Sequence, residues 1–494
     1  MVPSSRNLLW LPPVPQFIER VRNELGADFG NRPLRVSRAP GRLDVMGGIG
    51  SYTGGMVCQS AVECAAVVGI QARQDRNIQV FSFNLLDEHV PFTLRVPLDS
   101  LNKYSIEALR SDLSAPGRQW AAYLVGCLAI LHERGLIDLT DPSITGLNLA
   151  LLSSVPIDAG LGSSTAIVVA TMINLIEQMD IRPRMPAGSQ RDYSMLIAGM
   201  CQEVETRVAG TDSALIDSIT SGTAEEGMLL RMICQPNEQP AFVPLPVGTR
   251  IVCVDSNIKR VDSKLKYEKA RCAAFMGHKM ILEKMRQLGT ASGQTLVSDP
   301  MKGYLANLDP DDYKRFFRPY LPPEISGASF LSTFGPIIEP TIIVQPDQLY
   351  HVLGATDHHV LEARRVRNFV GHLESASTLP RGSSQQKLAL DKAGHLMYGS
   401  HLSYTRDALL GADECDLLVD LVRRHEPAGL YGARITGKGS GGAVAVLADI
   451  SPSADAAIVK ILAEYQAKTG YHPQAFASSG PGAFALGTQM TAEI

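Results

Sequence analysis

The 494-residue sequence lacks an excess of positive charge and lacks any long apolar run. Its 46 lysines and arginines are outnumbered by 50 aspartates and glutamates, which gives a net charge of −4. Binding to a nucleic acid backbone requires a basic surface, and a membrane-spanning helix requires about 18 consecutive apolar residues. The first residues also lack the basic region and apolar core of a secretory signal. We therefore expect a globular protein of the cytoplasm with neither a nucleic acid nor a membrane as partner.

The sequence has no C-x-x-C pair, and its eight cysteines are scattered along the chain. Structural zinc sites and disulfide frameworks place cysteines at short, regular spacings. Their absence argues against both kinds of site. We expect reduced cysteines, most of them acting as small apolar core residues.

No internal repeat is evident, and helical and strand-like patterns alternate irregularly. A strand pair is predicted at 228–233 and 249–257, because both segments are apolar and lie close in sequence. This arrangement favours an α+β fold over a regular parallel sheet. We place a domain boundary near residue 245, which gives domains 1–245 and 246–494. The other predicted elements are strands at 144–152 and 443–449 and helices at 118–136, 167–179, 194–206, 266–288, 358–373, 386–410 and 454–468.

The first of three glycine-rich segments is RAPGRLDVMGGIGSYTGG at 38–55. Glycine loses much backbone entropy when it is ordered in a helix or strand, and proline removes a hydrogen-bond donor. We therefore predict a loop whose backbone approaches another group. Arg42 and Asp44 lie in its middle and are candidates for chemistry.

The second segment, DAGLGSSTA at 158–166, precedes an apolar helical pattern. Glycines such as Gly160 and Gly162 let a backbone approach an anion, and a helix N-terminus attracts phosphate through unpaired N–H groups. Serine hydroxyls after such glycines can ligate a Mg²⁺ that bridges phosphates. The alternative is that Ser163 only caps the helix, which leaves the glycine pair unexplained.

The third segment is YGARITGKGSGG at 431–442. Its residues 432–438 match the G-x-x-x-x-G-K part of a phosphate-binding P-loop, with Lys438 as the lysine. Gly439 stands where a P-loop needs serine or threonine to hold the metal. A strand pattern follows instead of a helix. We reject the P-loop interpretation, although a glycine loop before a strand can still lie against a substrate.

Two acidic residues, Glu205 and Asp217, are twelve positions apart and flank a turn-rich segment. Phosphoryl transfer from ATP needs a phosphate cradle, a carboxylate and a hydroxyl on Mg²⁺, a base and a cation. Arg42, Ser164, Glu205 and Asp217 would fill the last four of these roles. The alternative for each acidic residue is an ordinary surface charge.

Taken in order, the three segments resemble the motifs of the GHMP small-molecule kinases. APGRLDVMGG resembles the first motif, GLGSSTA the second, which is the ATP phosphate loop, and ITGKGSGG the third. The resemblance runs from about residue 35 to about residue 485. Within the family, CQEVETRVAGTDSALIDSITS and VDSNIKRVDSKLKYEKAR resemble segments of the sugar 1-kinases. The likeness is greatest to the kinase domain of arabinokinases, followed by galactokinases.

The resemblance implies a GHMP kinase fold, with an N-terminal domain like the second domain of ribosomal protein S5 and a ferredoxin-like C-terminal domain. It implies an ATP- and Mg²⁺-dependent kinase acting on the anomeric hydroxyl of a monosaccharide, L-arabinose-like or galactose-like. Asp217 would be the base, and Arg42 would orient it and stabilise charge. The residues implied are catalytic Arg42 and Asp217; ATP-binding Gly160, Gly162, Ser163, Ser164 and Thr165; magnesium-binding Ser164 and Glu205; and substrate-binding Asp44, Ser51, Tyr267, Gly439, Ser440 and Gly441.

Some positions depart from the family pattern. Galactokinases carry a Glu-His-x-Asp run where this chain has Gly48 to Ser51, and both sugar-kinase groups normally have aspartate at the position of Ser51. Ser218 and Ala214 also replace the residues usual beside the galactokinase aspartate. A neutral hydroxyl binds a sugar hydroxyl more weakly than a carboxylate does, by about 1–2 kcal/mol. A sugar- and ATP-binding sensor that regulates a partner, and a different GHMP substrate class, therefore stay open beside the sugar kinase. The sequence leaves the oligomeric state open.

Overall fold

The computed structural model describes residues 7–101, 103–258, 263–291, 298–339, 341–477 and 480–492. Within these ranges the chain forms an α+β fold with two main sheets, as predicted. The strands are β1 Arg35–Met46, β2 Met56–Ala72, β3 Asn77–Ser82, β4 Thr93–Pro97, β5 Leu147–Ser153, β6 Met228–Ile233, β7 Ala241–Pro244, β8 Thr249–Asp255, β9 Ile325–Ser326, β10 Leu349–Tyr350, β11 Leu430–Ile435, β12 Ala443–Asp449, β13 Gln474–Ala477 and β14 Thr488–Met490.

The α-helices lie between these strands and cover both sheets. They are α1 Val14–Glu24, α2 Gly26–Phe29, α3 Phe83–Asp87, α4 Leu98–Leu101, α5 Ile106–Leu113, α6 Ala122–Glu133, α7 Ser163–Gln178, α8 Gln190–Glu203, α9 Leu215–Thr223, α10 Ser263–Ala291, α11 Pro310–Asp312, α12 Gly327–Phe334, α13 Val352–Ser377, α14 Ser384–Arg406, α15 Asp413–Arg424, α16 Pro452–Thr469 and α17 Ala483–Leu486. Short 3₁₀ turns span Leu8–Trp10, Gly48–Thr53, Gln119–Ala121, Arg182–Arg184, Leu305–Asn307, Arg318–Tyr320 and Glu426–Ala428, and single π turns span Val204–Val208 and Tyr313–Phe317.

The first sheet is built around the long strand β2. Its strands follow the order β14-β1-β2-β5-β3-β4, and β6 pairs with the first residues of β2 and with β7. Of the strand pairs that the structure describes in this sheet, β3 and β5 are parallel and the others are antiparallel. Strand β2 is buried along most of its length, because α6 and α7 cover one face of the sheet and α1 packs on the other. A strand covered on both faces reads as a nearly continuous apolar run, as this one does.

The predicted loop at 38–55 is wrong in its first half, where β1 continues through Met46. The register between β1 and β2 shifts between Pro40 and Arg42, which marks a β-bulge. A bulge releases ladder hydrogen bonds and so accommodates a proline within a strand. Gly41 is needed because an added Cβ would lie 2.7 Å from the carbonyl oxygen of Leu161. The second half, 47–55, is a turn as predicted.

The second sheet is antiparallel, with the order β11-β12-β8-β13. Helices α14 and α15 pack on β11, and α13 packs between α14 and α10. The predicted strands at 228–233 and 443–449 are confirmed at the same residues. The predicted pairing of 228–233 with 249–257 is wrong, because β6 pairs with β2 and β7 in the first sheet, whereas β8 pairs with β12 and β13 in the second. The helix predicted at 167–179 begins earlier, at Ser163, because the polar residues 163–165 form its first turn.

The chain passes from the first sheet to the second between β7 and β8. Its final strand, β14, returns to the first sheet and pairs with β1, so that Arg35 faces Met490. The backbone N–H of Gly482 also donates to the carbonyl of Ala224, at 2.7 Å. The division into domains 1–245 and 246–494 stays a prediction, and both halves of the sequence contribute to the first sheet.

Among the described residues no cysteine is in a disulfide, and seven of the eight are buried, as expected for core residues. Among the described residues, no helix is long and apolar enough to cross a membrane.

Candidate active site

Arg42 and Asp217 form a bidentate ion pair, as expected of the two predicted catalytic residues. Arg42 Nε donates to Asp217 Oδ1 at 2.8 Å, and Arg42 Nη2 donates to Oδ2 at 3.0 Å. Asp217 lies in the first turn of α9, and Arg42 lies on β1 just after the bulge. A bidentate guanidinium–carboxylate pair is strong and fixes the plane of the carboxylate. The pair therefore presents Asp217 in one defined orientation.

The phosphate-loop segment holds Arg42 in place. The backbone N–H of Arg42 donates to the carbonyl of Leu161 at 2.7 Å, and its Nη1 donates to the carbonyl of Gly160. Burial alone would lower the pKa of Arg42, but the charge and hydrogen bonding of Asp217, together with the charges of Asp44 and Glu205, raise it above its usual value. The guanidinium is therefore a fixed positive charge.

Gln59 is a third member of this group and was missed from the sequence. Its Nε2 donates to Asp217 Oδ1 at 2.6 Å, and its Oε1 accepts a hydrogen bond from Thr220 Oγ1 at 2.8 Å. Gln59 is buried and faces Asp44 across the β1–β2 ladder. A glutamine within the apolar strand β2 was the available signal.

Glu205 lies in the π turn that ends α8, beside the start of α7. Three hydroxyls donate to its carboxylate: Ser164 at 2.6 Å, Thr165 at 2.9 Å and Ser213 at 2.7 Å. Glu205 is only 1% exposed, and burial raises its pKa although these hydrogen bonds oppose the shift. The structure thus brings predicted Ser164, Thr165 and Glu205 together, whereas Ser213 was not foreseen.

The oxygen donors of Ser164 and Glu205 suit a Mg²⁺ ion. Magnesium prefers hard oxygen ligands and is usually held by one or two carboxylates, together with phosphate oxygens and waters. A cation would also neutralise the carboxylate whose pKa burial raises. Over the part of the chain that the structure describes, no cluster of three or more His, Cys, Asp or Glu side chains forms a complete metal cage. The residues present therefore fit a magnesium ion shared with a nucleotide.

The predicted phosphate loop has the backbone that such a loop requires. Gly160 and Gly162 have φ angles of +81° and +72°, a region that favours glycine. Gly162 is the N-cap of α7, and no side chain caps this end. The alternative that Ser163 caps the helix is therefore wrong, because Ser163 is the first helical residue. A sixteen-residue helix begins here without a side-chain cap, which is the arrangement that binds phosphate.

The third glycine segment forms a tight loop after β11. Gly439, Ser440 and Gly441 all have positive φ angles, and the N–H of Ser440 donates to the carbonyl of Leu410 at 2.6 Å. Just after this loop, the N–H of Ala443 donates to the carbonyl of Ala159 at 3.0 Å. This bond connects the segment to the phosphate loop. Strand β12 follows, which agrees with the rejection of a P-loop.

Lys438 ties this glycine loop to the predicted sugar-binding tyrosine. Its Nζ donates to the carbonyl of Asp212 at 2.8 Å and lies 4.8 Å from the ring centroid of Tyr267. Tyr267 is buried on α10 and packs edge-on against Tyr52, with ring centroids 5.9 Å apart. Tyr267 and the glycine loop are thus neighbours, as the resemblance implied.

Asp44 is buried at 4% exposure, two residues beyond Arg42 on the same strand. Burial raises its pKa to about 6, although Arg434 and Arg42 favour the charged form. Arg434 is completely buried, and its Nη1 lies 3.5 Å from the carbonyl of Asp44. Asp44 Oδ1 and Arg434 Nη2 have no hydrogen-bond partner among the described residues. The two side chains provide polar groups for a ligand hydroxyl.

The turn Gly48–Thr53 contains Ser51. His359 on α13 holds this turn in place through two side-chain hydrogen bonds. His359 Nε2 lies 2.8 Å from Tyr52 Oη, and its Nδ1 lies 2.9 Å from Thr53 Oγ1. Thr53 already donates its proton to the carbonyl of Gly50, so Nδ1 carries the histidine proton and Tyr52 donates to Nε2. Burial lowers the pKa of His359 far below its usual value, which keeps it neutral.

Tyr404 closes the other side of this turn. Its hydroxyl accepts the N–H of Ile49 at 2.9 Å and donates to the carbonyl of Gly437 at 3.0 Å. A Cβ added at Gly48 would collide with this hydroxyl. The space that a larger side chain at position 48 would need is therefore filled by Tyr404, which was also missed from the sequence.

The sequence is similar to known kinase domains and to sugar kinases. The model for "GHMP kinases N terminal domain" matches residues 122–224, and the model for "GHMP kinases C terminal" matches residues 386–467. The L-arabinokinase of Arabidopsis thaliana is 31% identical over 520 residues, covering 95% of this chain and 48% of that protein. The chain thus spans about half the length of that relative. A galactokinase of Chloroflexus aggregans is 26% identical over 445 residues, covering 90% of each chain.

Solved structures show the same fold. Lactococcus lactis galactokinase in complex with galactose has a TM-score of 0.65 at 19% identity, covering 95% of this chain and 98% of that one. Methanococcus jannaschii mevalonate kinase has a TM-score of 0.54 at 13% identity, with coverage of 90% and 98%. With matches to both domain models, the chain carries GHMP kinase N-terminal and C-terminal domains, and it has a galactokinase-like fold.

Proposed function

We propose that this protein is an ATP- and Mg²⁺-dependent sugar 1-kinase, which transfers the γ-phosphoryl group of ATP to the anomeric hydroxyl of a monosaccharide. The observation that carries the proposal is the bidentate Arg42–Asp217 pair directly beside the phosphate-loop segment. Base, cation and phosphate cradle are the parts that phosphoryl transfer requires, and here they are adjacent. The similarity to L-arabinokinase and galactokinase supports the same conclusion.

In the proposed reaction the oxygen of the sugar's anomeric hydroxyl attacks the γ-phosphorus of ATP. Asp217 accepts the proton of that hydroxyl. The bond from that phosphorus to the leaving ADP oxygen breaks, and the products are the sugar 1-phosphate and ADP. Arg42 holds the carboxylate in position, and its fixed charge offsets the negative charge that develops nearby. The buried surroundings strengthen both effects because screening by water is weak there.

The nucleotide phosphates would lie against the backbone of Gly160 to Thr165 and the N-terminus of α7. Ser164 and Glu205 would hold the magnesium ion, which supplies charge neutralisation of the phosphates when it is bound. Thr165 and Ser213 keep the Glu205 carboxylate oriented toward Ser164 through their own hydrogen bonds. These residues bind and orient ATP in this proposal and take no part in proton transfer.

The sugar would lie near Asp44, Ser51 and Tyr267, with Gly439, Ser440 and Gly441 closing over it. We favour an L-arabinose-like substrate over a galactose-like one. Tyr404 fills the space where a side chain at position 48 would reach an exocyclic hydroxymethyl group. A substrate without that group needs no such contact.

The test is turnover of the purified protein with Mg·ATP on a panel of pentoses, hexoses and uronic acids. We expect phosphorylation of at least one sugar, with L-arabinose preferred, and no detectable turnover for Asp217→Asn in an unchanged fold. A folded protein that phosphorylates no member of the panel would overturn the proposal. Full activity of Asp217→Asn would remove Asp217 as the base.

A second candidate is a sugar- and ATP-binding sensor that regulates a partner. Ser51 favours it, because a neutral hydroxyl replaces the carboxylate that both related groups normally have on this turn. The intact pair of Arg42 and Asp217 favours catalysis. Binding of a partner that depends on sugar and ATP, in the absence of turnover, would support the sensor instead.

A further inference from the structure

Gln59 is a buried polar residue with no role in the proposed reaction as described above. It lies on β2, beneath Asp217, and both ends of its amide are engaged. An ionised carboxylate only accepts hydrogen bonds, so the amide NH₂ of Gln59 faces Asp217 Oδ1 and the amide oxygen faces away from it. Thr220 Oγ1 donates to that oxygen at 2.8 Å and so holds the amide in this orientation.

The hydrogen bonds to Asp217 are distributed unevenly between its two oxygens. Oδ1 accepts two, from Arg42 Nε at 2.8 Å and from Gln59 Nε2 at 2.6 Å. Within the described ranges Oδ2 accepts one, from Arg42 Nη2 at 3.0 Å. A carboxylate offers about two acceptor positions on each oxygen. Oδ1 is therefore saturated, while Oδ2 keeps one acceptor position.

We propose that Gln59 is a positioning residue that saturates Asp217 Oδ1 and so leaves Oδ2 as the oxygen that receives the substrate proton. This inference rests on the proposed function, because it assigns the atom through which Asp217 acts. The O–H bond of the sugar breaks as the O–P bond forms, and the proton goes to Oδ2. Without Gln59, one acceptor position would be open on each carboxylate oxygen. The substrate hydroxyl could then donate to Oδ1, an orientation that does not lead to transfer in this proposal.

The inference predicts a change in turnover with little change in binding. Gln59→Met preserves the length of the side chain but cannot donate, so we expect kcat to fall by about 10-fold to 100-fold. The KM values for sugar and ATP should change by less than about threefold, since Gln59 touches neither ligand in the proposed site. A residue that only supports the fold would lower stability without this separation of kcat from KM.

Thr220→Val supplies a second variant that tests the same path. It removes the hydroxyl that orients the amide and nearly preserves shape, so we expect a smaller fall in kcat. If Thr220 acts only through Gln59, Thr220→Val will have no further effect on kcat in the Gln59→Met background. The matched control is Thr223→Val on the same helix, whose hydroxyl donates to the carbonyl of Ile219 and lies outside the Asp217 network.

The experiment measures kcat and KM for the wild type, Gln59→Met, Thr220→Val, the double variant and Thr223→Val with L-arabinose or D-galactose and Mg·ATP. Thermal unfolding of each variant shows that it is folded. Unchanged kcat in both Gln59→Met and Thr220→Val, or additive effects in the double variant, would overturn the inference. Asp217→Asn is measured in parallel: its retained activity would refute the proposed base, whereas its inactivity beside a Gln59→Met variant with wild-type kcat would refute only the role of Gln59.

Discussion

Replacing Asp44 by asparagine should change how the stability of the protein depends on pH. Asp44 is buried, and its pKa is raised by burial from the usual 3.8 to about 6. Arg434 and Arg42 face it and favour its charged form, whereas Asp217 and Glu362 oppose it. An asparagine of nearly the same shape removes this titration and leaves the other groups in place.

The sign follows from proton binding. Between the unfolded pKa and the folded pKa the native state binds more protons than the unfolded chain, so stability falls as the pH rises. The contribution of Asp44 is fully present below pH 3.8 and is lost as the pH rises through about 6. At about 1.4 kcal/mol for each unit of pKa difference, the full loss is about 3 kcal/mol. Most of it falls between about pH 4 and pH 7.

The assay is urea unfolding of the wild type and Asp44→Asn at several values between about pH 4 and pH 7. We expect the variant to gain stability relative to the wild type by about 2–3 kcal/mol across this range. Asp75→Asn is a control that should show almost no pH dependence above about pH 4, because hydrogen bonding to Arg73 lowers the pKa of Asp75 below its usual 3.8 and its contribution is lost only at lower pH. A stability difference between wild type and Asp44→Asn that stays constant with pH would refute the reasoning.

Three further substitutions probe the turn, the metal and the sugar. Tyr404→Phe removes hydrogen bonds to Ile49 and Gly437 and should cost about 1–3 kcal/mol in thermal unfolding; an unchanged Tm would count against it. Glu205→Gln should raise the Mg²⁺ concentration that gives half-maximal rate by about tenfold or more, measured by magnesium titration of turnover, and an unaltered requirement would remove Glu205 as a ligand. Ser51→Asp should lower the sugar KM by about tenfold, since a carboxylate binds a hydroxyl more strongly; an unchanged KM would show that the sugar does not reach this turn.

The sequence predicted which side chains lie together in the candidate site better than it predicted the backbone that carries them. Glycine and proline at 38–55 indicated a loop, yet β1 runs through Arg42, and a bulge accommodates Pro40. The cause is a tertiary contact: Gly41 is small because Leu161 passes close to it, and a distant carbonyl leaves no local signal. The sequence also predicts a loop at the polar start of α7, because serine and threonine are common both in the first turn of a helix and in loops.

Arg42, Ser164, Glu205 and Asp217 were identified in advance, because motifs place them at recognisable spacings. Their supporting residues were not. Gln59 meets Asp217 only after folding, since the two are 158 positions apart, and Ser213 reaches Glu205 through the irregular segment between α8 and α9. Such partners have no spacing rule of their own, and a buried polar residue in an apolar strand is the signal that a sequence can offer.

The most direct test of the central claim is ³¹P NMR of the products formed from L-arabinose or D-galactose and Mg·ATP by the wild type and by Asp217→Asn. The account predicts a phosphomonoester on the anomeric carbon with the wild type and only unreacted ATP with Asp217→Asn, at equal content of folded protein. Phosphate on any other hydroxyl, or equal product from both proteins, would contradict it.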